Sequence, residues 1–379
     1  MDEISIFISG DFAPRHRVSE VIRNKEFSLL YGDVLSYIQK ADISITNLES
    51  PLIDDGIPIP KTGPNLKSPI ESVEALKFAG FDMVTLANNH MMDYGAEGLY
   101  STISTCENNG IRCIGAGRNF IEASKICYFE RKGKTIAFIN CCENEWSTTV
   151  DANPGCNPLN EVNIYYQIQE AKANADFVIL IIHGGHETYE LPSPRMKKLY
   201  RWFIDLGVDA VIGHHTHCYS GSEVYKKKPI VYSLGNFIFD SKIRDASWNY
   251  GVFAVLSLSA DRVKIELVPF EQCNKQVGVC LLKSNEVEQW INDDIQRSNI
   301  IQDDIKLEEE FNAFCKKNER QYRSYLEPNK NKYILAAKNR GWIKRNISGN
   351  KALLYLNIIR AEAHRDILIN LLSNEDSIS

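Results

Sequence analysis

Short runs of apolar residues recur through the first three-quarters of the chain, and most of them end in a glycine or a polar residue. Such runs, whether alternating or continuously apolar, predict buried strands. Helical spacing between the runs predicts helices at 69–79, 95–109, 162–174 and 192–206. Repeated strand–helix units followed by antiparallel strands favour a layered α/β fold. Strands are predicted at 4–8, 43–46, 83–86, 111–114, 123–129, 135–140, 177–182, 208–212, 229–233, 251–258 and 262–269.

The pattern changes after about position 284, where charged residues of both signs become interleaved with apolar ones. Helical spacing predicts helices at 285–300, 303–326 and 350–372. We therefore predict an α/β domain at 1–283 and a mainly helical C-terminal extension at 284–379. The segment 330–345 is basic, and a solvated helix face explains it better than a polyanion-binding patch.

Composition narrows the class of protein. The 379-residue chain has a formal net charge of −6, so nucleic acid is not the expected partner. No run approaches the roughly 20 apolar residues that cross a bilayer, and the acidic start is unlike a secretory signal, which predicts a cytoplasmic protein. The ten cysteines form no C-x-x-C pair, which argues against a zinc ribbon or a disulfide framework. The oligomeric state stays open.

Histidines cluster where predicted strands end. Three of the eight, His214, His215 and His217, directly follow an apolar run and a glycine. Side chains two positions apart in an extended backbone face the same side, so His215 and His217 can reach one ion or two adjacent ions. His214 is expected to point the other way. The alternative is a polar surface loop that happens to be rich in histidine.

Other strand ends carry oxygen and nitrogen donors. Asp11 follows the first strand and Glu49 the second. Asn89 and His90 follow the third strand, and His183 ends the most apolar strand. Such ends are common places for chemistry in α/β sheets. Mixed oxygen and imidazole ligands suit one or two divalent ions, Mn²⁺, Fe²⁺ or Zn²⁺, and the expected chemistry of a two-ion site is hydrolysis.

Several assignments near these strand ends remain open. A strand-terminating turn explains Asp11 as well as chemistry does, and a hydrogen-bonded turn is the alternative for Asn89. Asp93 could orient the imidazole of His90. Arg15 could meet an anionic substrate or coat a loop. The segment 54–68 is rich in proline, glycine and aspartate, and it is expected to lie over the site.

The order of these motifs carries a family resemblance. The stretches are Gly10-Asp11, Asn47-Leu48-Glu49, Asn88-Asn89-His90 with Asp93-Tyr94-Gly95, Gly115-Ala116-Gly117-Arg118-Asn119, His183-Gly184-Gly185-His186-Glu187, Gly213-His214-His215-Thr216-His217 and Tyr232-Ser233-Leu234-Gly235-Asn236-Phe237. As a set, over residues 1 to about 240, they resemble the CapA-like branch of the calcineurin-type metallophosphoesterase superfamily. That branch is named for poly-γ-glutamate capsule biosynthesis.

The resemblance implies a four-layer α/β/β/α sandwich with metal ions at the strand ends. It implies that His90 protonates the leaving group and that Asp93 or another acid orients it. His186, Glu187 and Asn236 would lie at the substrate-binding rim. The implied metal ligands are Asp11 and His217 for one ion, Asn89, His183 and His215 for the other, and Glu49 as the bridge between them.

Two departures from the resembled proteins affect the expected function. Ala13 stands where the wider superfamily has a histidine, which fits the branch but removes one ligand from the first ion. Many CapA-like proteins have an N-terminal membrane anchor, and none is visible here, which favours a soluble cytosolic role. The expected function is a metal-dependent hydrolase of an anionic small-molecule or polymer substrate, through a phosphoester or a γ-glutamyl amide. The alternative is a non-catalytic polymer-handling or assembly protein with a vestigial metal site.

Overall fold

The computed structural model describes residues 3–149, 151–241, 246–259, 262–326 and 349–373, together with the single residues 333, 337, 340 and 342. The basic segment 330–345 therefore lies almost entirely outside the described residues. Within these ranges the strands are β1 Ile4–Phe12, β2 Ile43–Leu48, β3 Met83–Thr85, β4 Arg112–Ile114, β5 Ala116–Gly117, β6 Cys127–Arg131, β7 Lys134–Cys142, β8 Gly155–Cys156, β9 Phe177–His183, β10 Ala210–His214, β11 Ser222–Tyr225, β12 Lys228–Val231, β13 Asn236–Ile238, β14 Tyr250–Ser259, β15 Arg262–Gln272 and β16 Val279–Leu281.

The helices in the described ranges follow the strands in order. They are α1 Arg17–Arg23, α2 Ser28–Tyr31, α3 Leu35–Lys40, α4 Ser72–Ala79, α5 Gly95–Asn108, α6 Phe120–Ala123, α7 Glu161–Asn174, α8 Pro194–Asp205, α9 Ser284–Gln302, α10 Asp304–Leu326, α11 Asn350–Arg360 and α12 Glu362–Ser373. None of the described helices is long and apolar enough to cross a membrane.

Two mixed sheets carry the fold. The first has the strand order β16-β15-β14-β1-β2-β3-β4, with β13 also paired to β1, and the second has the order β11-β12-β10-β9-β7-β6. In the first sheet β1, β2, β3 and β4 run parallel. In the second, β7, β9, β10 and β12 run parallel. Parallel neighbours end at the same edge, so each sheet presents a row of strand ends there.

The two sheets face each other across an apolar core. On β1, Ile6 and Ile8 point into this core, whereas Phe7 points to the outer helices. On β9, Ile179 points between the sheets and Leu180 points outward. This alternation follows from the two-residue period of a strand, and burying each such side chain contributes roughly 1.5–3 kcal/mol. The strands are apolar throughout because both of their faces are covered.

Helices cover the outer face of each sheet. Val18 of α1, Leu76 of α4 and Leu99 of α5 pack on the first sheet. Ile168 of α7 and Phe203 of α8 pack on the second sheet. The four-layer α/β/β/α prediction is therefore confirmed.

The C-terminal helices share the apolar cluster of the second sheet. Phe311 of α10, Ile358 of α11 and Ile367 of α12 belong to the cluster that contains Phe203. These helices thus pack on the outer layer of the sandwich. The division of the chain into domains at 1–283 and 284–379 stays a prediction.

One predicted strand begins at the wrong place. The prediction put a strand at 123–129, but Phe120–Ala123 forms the short helix α6, and β6 begins only at Cys127. The Asn119 side chain accepts a hydrogen bond of 3.0 Å from the Glu122 backbone N–H, which caps the helical turn. A short apolar run cannot distinguish such a turn from the start of a strand.

Candidate metal centre

Strand ends from both sheets meet in one buried group of side chains, which is called the metal cluster below because it is the candidate metal site. β1 contributes Asp11, and Glu49 follows β2, where its backbone N–H donates to Phe12 O at 3.0 Å. β9 ends at His183, which is paired in register with His214 of β10. The six predicted ligands are each at most 6% exposed: Asp11, Glu49, Asn89, His183, His215 and His217.

Four of these residues form the first half of the cluster. His183 Nε2 lies 3.0 Å from His215 Nδ1 and 3.1 Å from Asn89 Oδ1. It also lies 3.6 Å from Glu49 Oε1. Potential ligand atoms of Glu49, His183 and His215 all lie within 4.8 Å of one another. This spacing suits joint coordination of one ion by imidazole, amide and carboxylate groups.

The second half of the cluster shares Glu49 with the first. Potential ligand atoms of Asp11, Glu49 and His217 also lie within 4.8 Å of one another. His217 lies 3.7 Å from Asp11 Oδ2 through Nδ1 and 3.9 Å from Glu49 Oε1 through Nε2. Asn236 Oδ1 lies 3.0 Å from His217 Nδ1. The structure therefore brings Asn236 beside a candidate ligand.

The Glu49 carboxylate tests whether this cluster suits metal ions. Its side chain is fully buried, and neither oxygen has a hydrogen-bond partner among the described residues. Burial, followed by the nearby Asp11 charge, raises the pKa of Glu49 well above its usual value. A buried carboxylate without donors is costly, and a cation on each side would offset that cost. The residues therefore fit divalent metal ions.

The Asp11 carboxylate, unlike that of Glu49, has neighbours that stabilise its negative charge. Burial acts to raise its pKa, but His214, His183 and His217 together hold the pKa of Asp11 below its usual value. Asn47 Nδ2 also donates to Asp11 Oδ1 at 2.7 Å. His214 was expected to point away, yet its Nδ1 lies 3.3 Å from Asp11 Oδ1. It thus lies behind a candidate ligand.

The histidine loop adopts an unusual backbone. His215 and His217 have positive φ values of 97° and 59°, a region that side-chain-bearing residues seldom occupy. Each such position costs on the order of 1–3 kcal/mol and persists where the surroundings enforce it. Before the loop, a Cβ on Gly213 would lie 2.0 Å from Tyr232 O. The loop geometry therefore depends on a glycine that permits this close approach.

His90 lies beside the cluster and is held by neighbours on one nitrogen. Its Nδ1 lies 2.6 Å from Asp93 Oδ2 and 3.2 Å from the Lys61 ammonium. Lys61 also pairs with Asp93 Oδ1, and Asp93 Oδ2, the oxygen beside His90, accepts from the Leu66 N–H at 2.6 Å. Burial, and then the Lys61 charge, lower the pKa of His90 to about 4. With Nδ1 engaged, Nε2 is the nitrogen left for a substrate.

Two charged residues of the site, Lys61 and Glu145, gave no signal in the sequence. Lys61 comes from the segment 54–68, which was expected only to lie over the site, and a lone lysine in a proline-rich loop gave no signal. Glu145 comes from the loop after β7, and its Oε1 lies 3.6 Å from His215 Nε2. Because both reach the site through long loops, only the folded structure reveals them.

The remaining predicted rim residues lie at different depths. Glu187 lines a cavity beside the cluster together with His186. The His186 ring packs 5.2 Å from the Phe311 ring, and its Nε2 lies 3.7 Å from Asp366 Oδ2. Arg15 is half-buried, and burial lowers its pKa while Asp93 opposes that shift. Arg15 is thus close enough to Asp93, the carboxylate that contacts His90, for the two charges to interact.

The cavity beside the cluster has a volume of about 420 Å³. Asn89, His90 and His215 form part of its wall, and side chains from α10, α11 and α12 form the wall opposite. A larger cavity of about 750 Å³ lies near α5 and β4. No residue of the metal cluster lines that larger cavity among the described residues, so the smaller one is the candidate substrate cavity.

Comparison with known proteins identifies the family. A family model described as bacterial capsule synthesis protein PGA_cap matches residues 5–241, which is more than half of the chain. The chain belongs to the PGA_cap family. The CapA-like resemblance drawn from the motifs is therefore confirmed.

Two curated PGA_cap-like relatives come from bacilli. The capsule biosynthesis protein CapA of Bacillus anthracis is 33% identical over 248 residues, covering 63% of this chain and 60% of the relative. The PGA biosynthesis protein CapA of Bacillus subtilis is 31% identical over 253 residues, covering 65% of this chain and 67% of the relative. The alignment thus spans less than two thirds of the first relative.

Solved structures give a weaker likeness. A 5'-nucleotidase precursor from Thermus thermophilus is 11% identical with a TM-score of 0.41, covering 78% of this chain and 59% of that one. The PGA_cap match ends at residue 241, before the C-terminal helices begin.

Ala13 is the residue that stands where the resemblance to the wider superfamily would place a histidine. It is fully buried and packs in a small apolar cluster with Leu66 and Phe239. The Asp11 half of the cluster therefore has an apolar neighbour at this position.

Proposed function

We propose that this PGA_cap family protein is a metal-dependent hydrolase. The observation that carries the proposal is the fully buried Glu49 carboxylate, which has no donor among the described residues and lies between two groups of metal-ligating side chains. Divalent ions bound there would supply the Lewis acidity that activates water and polarises a phosphoryl or acyl oxygen. The substrate would carry a phosphoester or a γ-glutamyl amide.

The chain's own residues would divide the work. Asp11 and His217 would hold one ion, and Asn89, His183 and His215 the other, with Glu49 shared. His90 in its imidazolium form, which the negative charge of a bound substrate would favour, would give a proton from Nε2 to the leaving group while Asp93 fixes its ring through Nδ1. Lys61 would keep Asp93 in place, and Arg15 and Glu187 would contact the substrate.

A second candidate function is a non-catalytic protein that handles or assembles a polymer. Two observations favour it. Ala13 leaves the Asp11 half of the cluster with fewer donors, and the relatives' names concern capsule biosynthesis and synthesis of a polymer. Such a protein would keep the fold and a partial metal site without turnover.

A cytoplasmic location also remains a prediction, which cell fractionation would test.

Elemental analysis separates the two functions. Protein purified without chelator should contain close to two ions per chain, and His217→Ala should contain fewer. The metal-loaded protein should then hydrolyse members of a panel of phosphoesters and γ-glutamyl amides. One ion or none, with no turnover on the panel, would favour the polymer-handling function.

A further inference from the structure

The cavity beside the metal cluster is closed on its far side by the C-terminal helices. These helices begin at Ser284, beyond the part of the chain that the family model matches. The lining contributed by α10, α11, α12 and the single residue between the last two helices comprises Phe314, Asn318, Gln321, Tyr322, Leu354, Asn357, Ile358, Ala361, Ala363, His364 and Ile367. The substrate cavity is therefore shared between the family region and a region outside it.

Partly buried ion pairs and hydrogen bonds fix this wall in place. Arg195 of α8 pairs with Asp366 of α12 at 2.7 Å and with Glu143 at 2.6 Å. Glu362 accepts hydrogen bonds of 2.8 Å from the backbone N–H and the side chain of Asn144. Because charged contacts and the shared apolar cluster both hold it, the wall has a defined position relative to the metal cluster.

The lining mixes apolar and aromatic side chains with about as many polar ones. Phe314, Leu354 and Ile358 give apolar surface, and the Tyr322 hydroxyl lies 2.7 Å from His364 Nδ1. A volume near 420 Å³ falls within the range of small-molecule sites. The cavity thus suits a compact organic group that combines apolar and hydrogen-bonding parts.

Charge restricts that organic group further. Glu145 and Glu187 both line the cavity beside the metal cluster. Among the described lining residues the sole lysine or arginine is Lys61, and its ammonium is engaged by Asp93 and His90. Arg15 is not among the residues that line this cavity, so a further anionic group inside it would meet two carboxylates without a free lysine or arginine beside it.

We propose that the C-terminal helices convert the metal-containing cleft into a chamber for a small phosphate ester whose organic part is neutral or cationic. This inference rests on the proposed hydrolase function. A poly-γ-glutamate chain carries a carboxylate on every residue, so it matches neither the volume nor the charge of the chamber. The helices would select the substrate, and the strand ends would carry out the hydrolysis.

The charge preference is tested with three esters of similar size. Phosphocholine, glycerol 3-phosphate and 3-phosphoglycerate have a cationic, a neutral and an anionic organic part. We expect kcat/KM for the first two to exceed that for the third by at least about tenfold. Glu187→Gln should narrow this ratio at least about threefold with unchanged metal content. A preference for 3-phosphoglycerate, or a ratio that Glu187→Gln leaves unchanged, overturns the charge assignment.

The wall is tested by filling the chamber. Ala363→Trp, or Asn318→Trp on a different helix if the first variant unfolds, should lower kcat/KM for phosphocholine at least about tenfold. Inhibition by inorganic phosphate, which needs only the metal cluster, should stay within about threefold. The control is Ile369→Trp, at a 63% exposed position on α12, which should behave like the wild type. Unchanged turnover by both chamber variants would rule out that the wall contacts the substrate.

Binding separates this proposal from the hydrolase function. If the metal-loaded wild type turns over no ester and no γ-glutamyl amide, the hydrolase function fails. Calorimetric titration with phosphocholine then tests the chamber by itself. Binding that Ala363→Trp weakens at least about tenfold supports the chamber, and an absence of binding overturns it.

Discussion

The metal cluster and the wall facing it are built in different ways. The cluster collects side chains from the ends of β1, β2, β9 and β10, and register between parallel strands sets their positions. The wall comes from helices that reach the site through tertiary contacts such as Arg195 with Asp366. The difference teaches that strand ends fix the candidate metal ligands, whereas the proposed fit to a substrate would depend on a part of the chain that is distant in sequence.

The largest effect is expected from a substitution in the metal cluster that leaves the helical wall unchanged. Glu49→Gln should remove most of the bound metal and lower hydrolysis at least about 100-fold, because the shared carboxylate serves both ions. Elemental analysis and a rate assay measure the two effects. His16→Ala, at an exposed histidine outside the cluster, is the control. Full metal content in Glu49→Gln would contradict the assignment of Glu49 as the bridge.

His90 separates proton transfer from metal binding within the cluster region. His90→Ala should keep its metal content and lose about 10²- to 10⁴-fold in kcat, since a positioned acid contributes about that much. The loss should shrink for esters with good leaving groups, which need no proton. An equal loss for good and poor leaving groups would show that His90 serves another purpose.

Arg195 tests how firmly the wall is attached. Arg195→Ala leaves Glu143, which is 6% exposed, without its cation, and should lower the free energy of unfolding by about 3 kcal/mol. Urea denaturation measures this change. The matched control is Arg118→Ala, which breaks a pair between Glu122 and an arginine that is 71% exposed, and it should show no measurable change. Equal effects of the two substitutions would mean that the wall is only loosely attached.

The smallest expected effect is a pH dependence within the wall. Burial outweighs the attraction of Arg195 and raises the pKa of Asp366 from 3.8 to about 6. The folded protein therefore binds this proton more tightly than the unfolded chain does, and the stability that it contributes is lost as the pH rises through 6. Between pH 5 and pH 8 the wild type should lose about 1 kcal/mol relative to Asp366→Asn. Urea titrations at both pH values measure the difference, and parallel pH profiles would contradict it.

Much of the fold and of the cluster could be predicted from the sequence. The apolar runs predicted the central strands. Asp11, Glu49 and His183 could be selected as candidates because they lie at the ends of those runs, and a strand end fixes where the next side chain lies. The strand at 123–129 was misplaced because a capped helical turn and a strand start share one apolar pattern.

The far side of the site could not be predicted. Lys61 and Glu145 arrive through loops, and Tyr322 and His364 arrive from helices that lie far along the chain. Their position depends on packing between distant segments, for which residue spacing carries no information. Helix periodicity predicted α9 and α10 well, yet it could not show that α10 faces the metal cluster.

The buried Ala13 has a consequence for how the protein would respond to its surroundings. In the proposed arrangement one ion would have four donors, from Asn89, His183, His215 and the shared Glu49, whereas among the described residues the other would have Asp11, His217 and Glu49. Titrating metal-free protein with Mn²⁺ should fill the two positions in separate steps, and turnover should rise with the second step. Catalysis would then follow the free concentration of the ion, so that a cell short of the metal would hold the protein folded but idle.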